Sequence, residues 1–193
     1  MGFSAVFLDR DGVLNEPILN PKTGEYESPH ALNDLKIYPE VFAALGGLQK
    51  KFKLFVVSNQ PSYAKGKISL PDLTAIEEKF SSSLEAHKIH ISEFYYCHHH
   101  PEGNVPEYSV ICQCRKPSPY FLKKAADDHD IDLKLSWMVG DRDTDIQCGQ
   151  AAGCKTIIIT NPVSLKFQGK EKPTYKASNI EDATNIILKE SNV

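Results

Sequence analysis

The amino-acid sequence predicts an α/β fold, a Rossmann-like and mostly parallel sheet with helices on both faces, and three observations predict it. Short apolar runs typical of strands buried on both faces alternate with amphipathic helical stretches. Several runs end in polar residues, as expected where ligands bind at the carboxyl edge of an open α/β sheet. The 193 residues, of which 41% are hydrophobic, suffice for a sizeable core. We expect one domain over residues 1–193.

The first half of the chain is predicted to alternate strands and helices around one long polar segment. Residues 16–37 contain three prolines and a glycine, so we expect an irregular loop there. Apolar residues recur at helical spacing after Pro39, which suits the first turn of a helix. Ser69 is a candidate N-cap for a second helix, with Asp72 in its first turn. The strands of this half are predicted at 5–8, 54–57 and 94–97.

The second half of the chain is predicted to add three helices and two strands. Gly153 suits the end of the middle helix, because glycine readily adopts the left-handed conformation found there. The strands are predicted at 137–140 and 156–159. The helices are expected to begin near 118–119, at an N-cap formed by Asp143 or Thr144, and at a capping box of Ser178 and Glu181.

Composition and charge argue against several classes of partner. A formal net charge of −3 gives no basic footprint for nucleic acid. The first apolar run is interrupted by Asp9 and Arg10, so we expect neither a signal peptide nor a membrane span there. Five cysteines, an odd number, indicate metal chemistry in a reducing compartment rather than a disulfide framework. We therefore expect a cytoplasmic monomer with no nucleic-acid or membrane partner.

Three of the predicted strands end in turns that carry reactive side chains. Asp9 and Asp11 follow the first strand, residues 58–60 (SNQ) end the second, and residues 141–145 follow the fourth. A parallel sheet brings these turns to one edge, where carboxylates and a substrate phosphate suit Mg²⁺. Lys116 could supply the positive charge that a transferring phosphoryl group needs. From the residues alone, either aspartate of the first turn could be the nucleophile, and the other would handle a proton.

Each of these residues also has a purely structural explanation. Ser58 could simply cap a turn, Lys116 could be solvated, and Asp143 or Asp145 could be an N-cap. Their joint occurrence at the strand ends favours a functional site over these separate explanations.

The motifs DRDGVLN (9–15), SNQ (58–60), lysine followed by proline (116–117) and GDRDTD (140–145) resemble, in order and spacing, the four motifs of the haloacid dehalogenase superfamily of phosphotransferases. The resemblance implies that Asp9 attacks phosphorus to form an aspartyl-phosphate. Asp11 would protonate the leaving oxygen and then activate water. The same resemblance implies phosphate binding by Ser58, Asn59, Arg115 and Lys116. It implies Mg²⁺ binding by Asp9, the backbone carbonyl of Asp11, and Asp141, with Arg142 and Asp145 in supporting roles.

The segment 97–114 contains four soft metal ligands in two close pairs. Cys97 with His99, and Cys112 with Cys114, suit a closed tetrahedral site for structural Zn²⁺. The neighbouring histidines 98 and 100 are competing ligands. The alternative is a set of buried thiols with surface histidines. A zinc ion here would stiffen the loop that leads directly into Arg115.

This zinc loop, from YYCHHHPEG to CQCRKP, resembles the subfamily of D-glycero-D-manno-heptose 1,7-bisphosphate phosphatases, together with the related histidinol-phosphate phosphatases. The resemblance implies a capless phosphatase of lipopolysaccharide heptose biosynthesis that releases the C7 phosphate. Loops 16–37, 61–67 and 97–114 would select the substrate, and Arg115 would hold its remote part, such as a second phosphate. The chain differs from these enzymes in PSYAKG (61–66) and in Arg142, where they commonly have lysine.

Two alternatives to this function stay open at the level of sequence. One is a phosphatase for histidinol phosphate or another small phosphate ester. The other, from a different class, is a non-catalytic module that binds phosphorylated partners, although that reading leaves the predicted nucleophile Asp9 unexplained.

Overall fold

The structure of the protein, a computed structural model, describes residues 2–191. In chain order, the strands are β1 (Ala5–Leu8), β2 (Ile18–Asn20), β3 (Glu25–Glu27), β4 (Lys53–Asn59), β5 (Glu93–Cys97), β6 (Trp137–Gly140), β7 (Lys155–Ile159) and β8 (Tyr175–Ala177). The α-helices of this part of the chain are α1 (Val41–Leu48), α2 (Leu70–Ala86), α3 (Tyr120–His129), α4 (Asp143–Ala152) and α5 (Ile180–Glu190).

The described residues form one six-stranded sheet, and every neighbouring pair of its strands is parallel. Its order is β5-β4-β1-β6-β7-β8, so the first strand lies near the centre. In β1, Val6 lies opposite Leu54 of β4 on one side and Trp137 of β6 on the other. The order reverses beside β1, and a ligand site is expected at such a switch point, outside the carboxyl ends of the strands.

Helices cover both faces of the sheet because alternate residues of each strand point in opposite directions. Val6 and Leu8 pack on the face that α1, α2 and α5 cover, whereas Ala5 and Phe7 pack on the face of α3 and α4. All four β1 side chains are fully buried, as expected for a central strand covered on both sides. The predicted α/β fold is confirmed.

Two predictions about strands are wrong. Residues 16–37 are not wholly irregular, because β2 and β3 form an antiparallel hairpin in which Leu19 lies opposite Tyr26. The prediction of five strands also missed β8, which pairs with β7 at the sheet edge. Each of these three strands has three residues, which is too short for a pattern of alternating polarity to emerge from the sequence.

The helix caps were predicted less accurately than the helices. Ser69 caps α2, as predicted, through an Oγ that accepts from the backbone N–H of Asp72 at 3.2 Å. The N-cap of α4 is Arg142 rather than residue 143 or 144. The last helix is capped by Asn179, whose side chain accepts from the Asp182 N–H at 2.9 Å, so the predicted box of residues 178 and 181 is wrong by one position. Gly153, with φ +90°, ends α4 as predicted.

The described residues contain no helix that combines the length and the apolar character required to cross a membrane.

Candidate active site

The carboxyl ends of β1 and β6 bring three buried carboxylates together. One oxygen each from Asp9, Asp141 and Asp145 lies within 4.8 Å of the other two. All three residues are less than 10% exposed, so their like charges repel one another in a poorly hydrated site. The predicted convergence of the first and fourth motifs is therefore present in the fold.

Asp9 is held through one of its two carboxylate oxygens. Its Oδ1 accepts a hydrogen bond from Ser58 Oγ at 2.7 Å and lies 2.8 Å from Lys116 Nζ. Within the described part of the chain, its Oδ2 makes no hydrogen bond, and the residue lines an open cleft. This arrangement fixes the orientation of the carboxylate and leaves one oxygen for a cation or for phosphorus.

Lys116 is the buried counter-charge of this cluster. Its Nζ contacts Asp9 and lies 2.7 Å from Asp145 Oδ1, and it donates to the carbonyl of Val57 at 2.6 Å. Burial alone would lower the pKa of Lys116, but the carboxylates of Asp145 and Asp9 outweigh it and raise the pKa. Lys116 is therefore a permanent cation at the position where phosphoryl oxygens would arrive.

Asn59 holds the backbone around this lysine. Its Nδ2 donates to the carbonyl of Lys116 at 3.1 Å, and its Oδ1 accepts from the backbone N–H of the same residue at 3.0 Å. Both functional groups of the amide are thus used on the backbone of one residue, across the two peptide units that flank it. Asn59 lines the cleft, but these contacts position Lys116.

Asp141 is the carboxylate of the cluster that Lys116 does not contact. Burial, together with the negative charges of Asp9 and Asp145, raises the pKa of Asp141 to about 8. Among the described residues, no group donates a hydrogen bond to its buried Oδ1. A buried carboxylate needs a positive partner to stay ionised at neutral pH. The three carboxylates with this free oxygen therefore fit a hard divalent cation such as Mg²⁺.

Asp11 lines the same cleft as Asp9 but has its own polar contacts and does not join the carboxylate cluster. Its carboxylate pairs with Arg10 at 3.1 Å and accepts from Gln60 at 2.6 Å, Ser28 at 2.8 Å and Asn15 at 2.9 Å. Burial would raise the pKa of Asp11, but Arg10 and these hydrogen bonds lower it below its ordinary value. These contacts therefore stabilise the charged form of Asp11.

The two supporting residues of the fourth motif have different partners. Asp145 pairs with Lys116, and its Oδ2 accepts from the backbone N–H of Arg142 at 3.0 Å. The guanidinium of Arg142 lies over the ring of Phe167, 4.4 Å from its centroid, and its Nε is 4.0 Å from Asp141 Oδ1. Arg142 thus adds a positive charge at the rim of the carboxylate cluster.

The four predicted zinc ligands form a second cluster, beside the first. The Sγ atoms of the three cysteines lie close together. The distance is 3.3 Å from Cys97 to Cys114, 3.4 Å from Cys112 to Cys114 and 3.6 Å from Cys97 to Cys112. His99 Nδ1 lies 3.5 Å from Cys114 Sγ. Zn–S bonds of about 2.3 Å in a tetrahedral site imply S···S edges of about 3.7 Å, so the cluster fits a zinc ion with little adjustment.

The neighbouring histidines are engaged elsewhere. His98 Nε2 lies 2.7 Å from Glu77 Oε1, and His100 Nδ1 accepts from the backbone N–H of Glu102 at 3.1 Å. Of the three consecutive histidines, it is His99 whose ring nitrogen faces the thiols. The geometry therefore favours His99 over its two neighbours, and its role as a zinc ligand stays a prediction.

A cleft of about 720 Å³ opens above Asp9 and is large enough for a small organic phosphate. One wall of the cleft carries Lys65, Lys67 and Arg115. Burial, with repulsion from Lys67 and Arg115, lowers the pKa of Lys65, as expected for cations that line the same cleft. Glu27 of β3 pairs with Lys67 at 2.7 Å, and Arg115 donates to the carbonyl of His99 at 3.4 Å. This wall suits a second anionic group.

Several contacts at the site are not predicted by the motifs. Arg10 and Gln60 stand inside recognised motifs, but nothing in their spacing predicts that both bind Asp11. Asn15 and Ser28 reach the same carboxylate from a loop, and Ser164 reaches Asp141 from beyond β7. Such contacts depend on how loops return to the sheet edge, and the sequence carried no signal for that.

Comparison with known proteins finds relatives that are named phosphatases. A family model described as HAD-hydrolase-like matches residues 113–183. D-glycero-beta-D-manno-heptose-1,7-bisphosphate 7-phosphatase of Escherichia coli (strain K12) is 35% identical over 188 residues, covering 96% of this chain and 94% of the relative. D-glycero-alpha-D-manno-heptose-1,7-bisphosphate 7-phosphatase of Photorhabdus laumondii is 32% identical over 162 residues, covering 82% and 84%.

The fold has a close counterpart among solved structures. The crystal structure of D,D-heptose 1,7-bisphosphate phosphatase from B. bronchiseptica, complexed with magnesium and phosphate, superposes with a TM-score of 0.78 at 24% sequence identity. The match covers 97% of this chain and 99% of that chain. At this identity, the likeness supports the fold.

Proposed function

The chain belongs to the family of D-glycero-D-manno-heptose 1,7-bisphosphate 7-phosphatases within the haloacid dehalogenase superfamily, and we propose that it removes the C7 phosphate of a heptose 1,7-bisphosphate, as a step of lipopolysaccharide heptose biosynthesis. The reaction is hydrolysis of a phosphoric monoester. Relatives named for both anomers lie at similar identity, so the preferred anomer is left to experiment.

The observation that carries the proposal is the environment of Asp9. A nucleophile that attacks phosphorus must be ionised, oriented and next to a positive charge that receives the phosphoryl oxygens. Ser58 and Lys116 hold one oxygen of Asp9, and the cleft reaches the residue. Attack by Asp9 forms an aspartyl-phosphate and releases the sugar oxygen, and water then cleaves the phosphoaspartate bond to give inorganic phosphate.

We assign the magnesium site to Asp9, the backbone carbonyl of Asp11 and Asp141. Bound there, Mg²⁺ would supply the positive charge that this cluster of carboxylates lacks and that draws phosphate oxygens towards Asp9. Lys116 contacts Asp9 and Asp145 but not Asp141, so the lysine and the cation would complement each other. Arg142 adds charge at the rim.

Asp11 is proposed to transfer the proton. Its four donors suit the base that activates water, because they stabilise the carboxylate. To protonate the leaving oxygen, Asp11 must first take up a proton and exchange at least one of these donors for the substrate; the base role then returns a proton from water to the same carboxylate. The Ser28 hydroxyl is the donor on the loop after β3, and we expect it to be exchanged most readily because that loop lines the cleft.

The remote C1 phosphate is proposed to bind the wall of Lys65, Lys67 and Arg115. Three cations close together, balanced locally by Glu27, leave a net positive surface facing the cleft. Arginine can bind a phosphate through two parallel hydrogen bonds, whereas lysine acts as a point charge. This wall would favour a bisphosphate over a monophosphate of the same sugar.

A structural Zn²⁺ is proposed for Cys97, His99, Cys112 and Cys114. With all four positions taken by protein, such an ion leaves no site for substrate. Its role would be to hold the loop that leads to Arg115 and Lys116. Free thiols at this site need a reducing environment, which supports the proposed cytoplasmic location.

Three further points stay predictions. They are a single catalytic domain over residues 1–193, a monomeric state, and the lack of a nucleic-acid or membrane partner.

The test of the proposed function is phosphate release with Mg²⁺ across a panel of substrates. The panel contains both anomers of heptose 1,7-bisphosphate, fructose 1,6-bisphosphate, histidinol phosphate and common nucleotides. We expect one heptose bisphosphate to lead the panel in kcat/KM by on the order of 10²-fold or more, because a monophosphate leaves the remote cations unpaired and a different bisphosphate presents its second phosphate at another position. A clear lead for histidinol phosphate would favour the alternative phosphatase. No turnover of any substrate would favour the non-catalytic module.

A further inference from the structure

Ser164 is a buried hydroxyl that none of the sequence motifs includes. It lies in the short helical turn Pro162–Phe167, after β7, and is 1% exposed. Its Oγ donates a short hydrogen bond to Oδ2 of Asp141. Asp141 is the one carboxylate of the active-site cluster that Lys116 does not contact. Ser164 therefore contacts the carboxylate that has no lysine partner.

The turn that carries Ser164 is docked onto the loop of the nucleophile. Asn161 caps the turn by accepting from the Val163 N–H at 3.2 Å, and its Nδ2 donates to the carbonyl of Gly12 at 3.3 Å. Gln168, just after the turn, donates to the carbonyl of Asp141 at 2.6 Å. These contacts fix both the serine and the backbone of the carboxylate that it contacts.

The Asp141 carboxylate is restrained from two sides. A Cβ added to Gly12, whose φ is +84°, would lie 2.2 Å from Asp141 Oδ2, so the glycine backbone lies directly against this oxygen. Ser164 holds the same oxygen by a hydrogen bond. Oδ2 is therefore fixed, and Oδ1, which accepts no hydrogen bond from a described residue, is left for a cation.

We propose that Ser164 is a positioning residue for the magnesium site, and that its hydrogen bond to Asp141 sets the affinity for Mg²⁺. The proposal rests on the proposed function, because it takes the metal site of that phosphatase as its starting point. A hydrogen bond to a ligating carboxylate fixes its orientation before the cation arrives, and loss of such a partner typically costs about 10–100-fold in metal affinity.

A merely structural role would give a different result. Ser136 provides the matched control, because it is also fully buried and its hydroxyl makes two hydrogen bonds, from the Ala5 N–H at 3.0 Å and to the Asp132 carbonyl at 2.7 Å. It lies just before β6, at the end of the sheet opposite the site. Ser136→Ala therefore removes a comparable buried hydroxyl without touching a proposed metal ligand.

The experiment is a calorimetric titration of the full chain with Mg²⁺ alone. We expect Ser164→Ala to raise the Mg²⁺ dissociation constant about tenfold or more. Ser136→Ala should leave this constant within about twofold of wild type. In turnover assays, Ser164→Ala should raise the Mg²⁺ concentration for half-maximal rate far more than it lowers kcat at saturating Mg²⁺. Equal affinities for Ser164→Ala and wild type, with only a lower Tm, would overturn the proposal.

A second variant and the result for the wild-type protein complete the test. If Ser164→Ala does not fold, Ser164→Cys replaces it, because a thiol of similar shape is a weak donor and should still weaken Mg²⁺ binding. Unchanged affinity in that variant would overturn the proposal. Wild-type protein that binds no Mg²⁺ would remove the metal site of the proposed function itself, whereas normal wild-type binding with an unaffected Ser164 variant counts against Ser164 only.

Discussion

The carboxylate cluster and the cysteine cluster are two candidate metal sites built in opposite ways. The first joins Asp9, just after β1, to Asp141 and Asp145, which follow β6 more than 100 residues later, whereas the second collects its four ligands from residues 97–114. The first has hard oxygen ligands, a lysine partner and an open cleft. The second has soft sulfur and nitrogen ligands that complete a tetrahedron. The difference is consistent with the proposals that the first site performs the chemistry and that the second stabilises the loop leading to Arg115 and Lys116.

This comparison makes a general prediction about mutations. Changes in the carboxylate cluster should affect turnover more than stability, because removing one of several like charges relieves repulsion. Changes in the cysteine cluster should affect stability more than turnover, because structural zinc contributes folding free energy. Asp9→Asn and Cys112→Ser each test one side of this contrast, Lys116→Met affects both sides, and Lys65→Met tests the substrate wall outside both clusters.

Asp9→Asn is expected to have the largest effect on turnover. An amide cannot form the aspartyl-phosphate, so kcat should fall by roughly 10⁴-fold or more, as is typical when a nucleophile is removed. The free energy of unfolding should stay within about 1 kcal/mol of wild type, which corresponds to roughly 2–4 °C in Tm. Steady-state kinetics and thermal melts measure both quantities. The control is Asp127→Asn, which changes an exposed aspartate of α3 that belongs to none of the motifs. Turnover near the wild-type rate in Asp9→Asn would contradict the covalent mechanism.

Lys116→Met is the variant that should affect both quantities. Loss of a preorganised charge at the phosphoryl group should lower kcat by about 10²–10³-fold. It also leaves Asp9 and Asp145 buried without their cation, and breaking a buried pair in this way typically costs about 3–5 kcal/mol.

A double variant separates the two effects of losing Lys116. Lys116→Met combined with Asp145→Asn removes one of the stranded charges, so it should regain stability without regaining turnover. Recovery of turnover in the double variant would mean that Lys116 acts only by neutralising Asp145.

Cys112→Ser should act mainly on stability. Loss of one of four ligands should lower the zinc content and destabilise the protein by about 3 kcal/mol or more, which corresponds to roughly 6–12 °C in Tm. Turnover at saturating substrate should fall far less than in Asp9→Asn. Elemental analysis and thermal melts provide the measurement, with Cys154→Ser as the control because Cys154 packs in the core outside the cluster. Zinc content equal to wild type in Cys112→Ser would refute the four-ligand site.

Lys65→Met should have the smallest effect, confined to substrate binding. It removes one of three cations on the wall proposed for the C1 phosphate, so KM for the bisphosphate should rise about tenfold with kcat nearly unchanged. KM for a heptose with a C7 phosphate only should not change. An equal rise of KM for both substrates would place Lys65 outside the remote phosphate site.

The sequence predicted the parts of this molecule that follow from local patterns. Continuous apolar runs identified the central strands, and polar residues at their ends identified the carboxylate cluster. The short strand β8 and the hairpin β2–β3 escaped because three residues carry no period. For the proposed zinc site, the spacing in the sequence fits any of three consecutive histidines as the fourth ligand. The orientation of the His99 ring in the structure favours His99.

The second layer of contacts could not be predicted for a different reason. The amide of Asn59 is used on the backbone of Lys116, and Ser164 reaches Asp141 across a turn. Both contacts depend on tertiary approach between segments that have no fixed spacing. Individual asparagines and serines are common in loops, so neither residue stands out until the fold is known.

The central claim is that Asp9 and Mg²⁺ remove the C7 phosphate of a heptose 1,7-bisphosphate, and phosphorus NMR of the reaction tests it most directly. The spectrum follows the C1 and C7 phosphate signals separately in wild type, in wild type without Mg²⁺, and in Asp9→Asn. We predict that the C7 signal alone converts to inorganic phosphate, and only in wild type with Mg²⁺. Loss of the C1 signal, or conversion of the C7 signal by Asp9→Asn, would contradict the account.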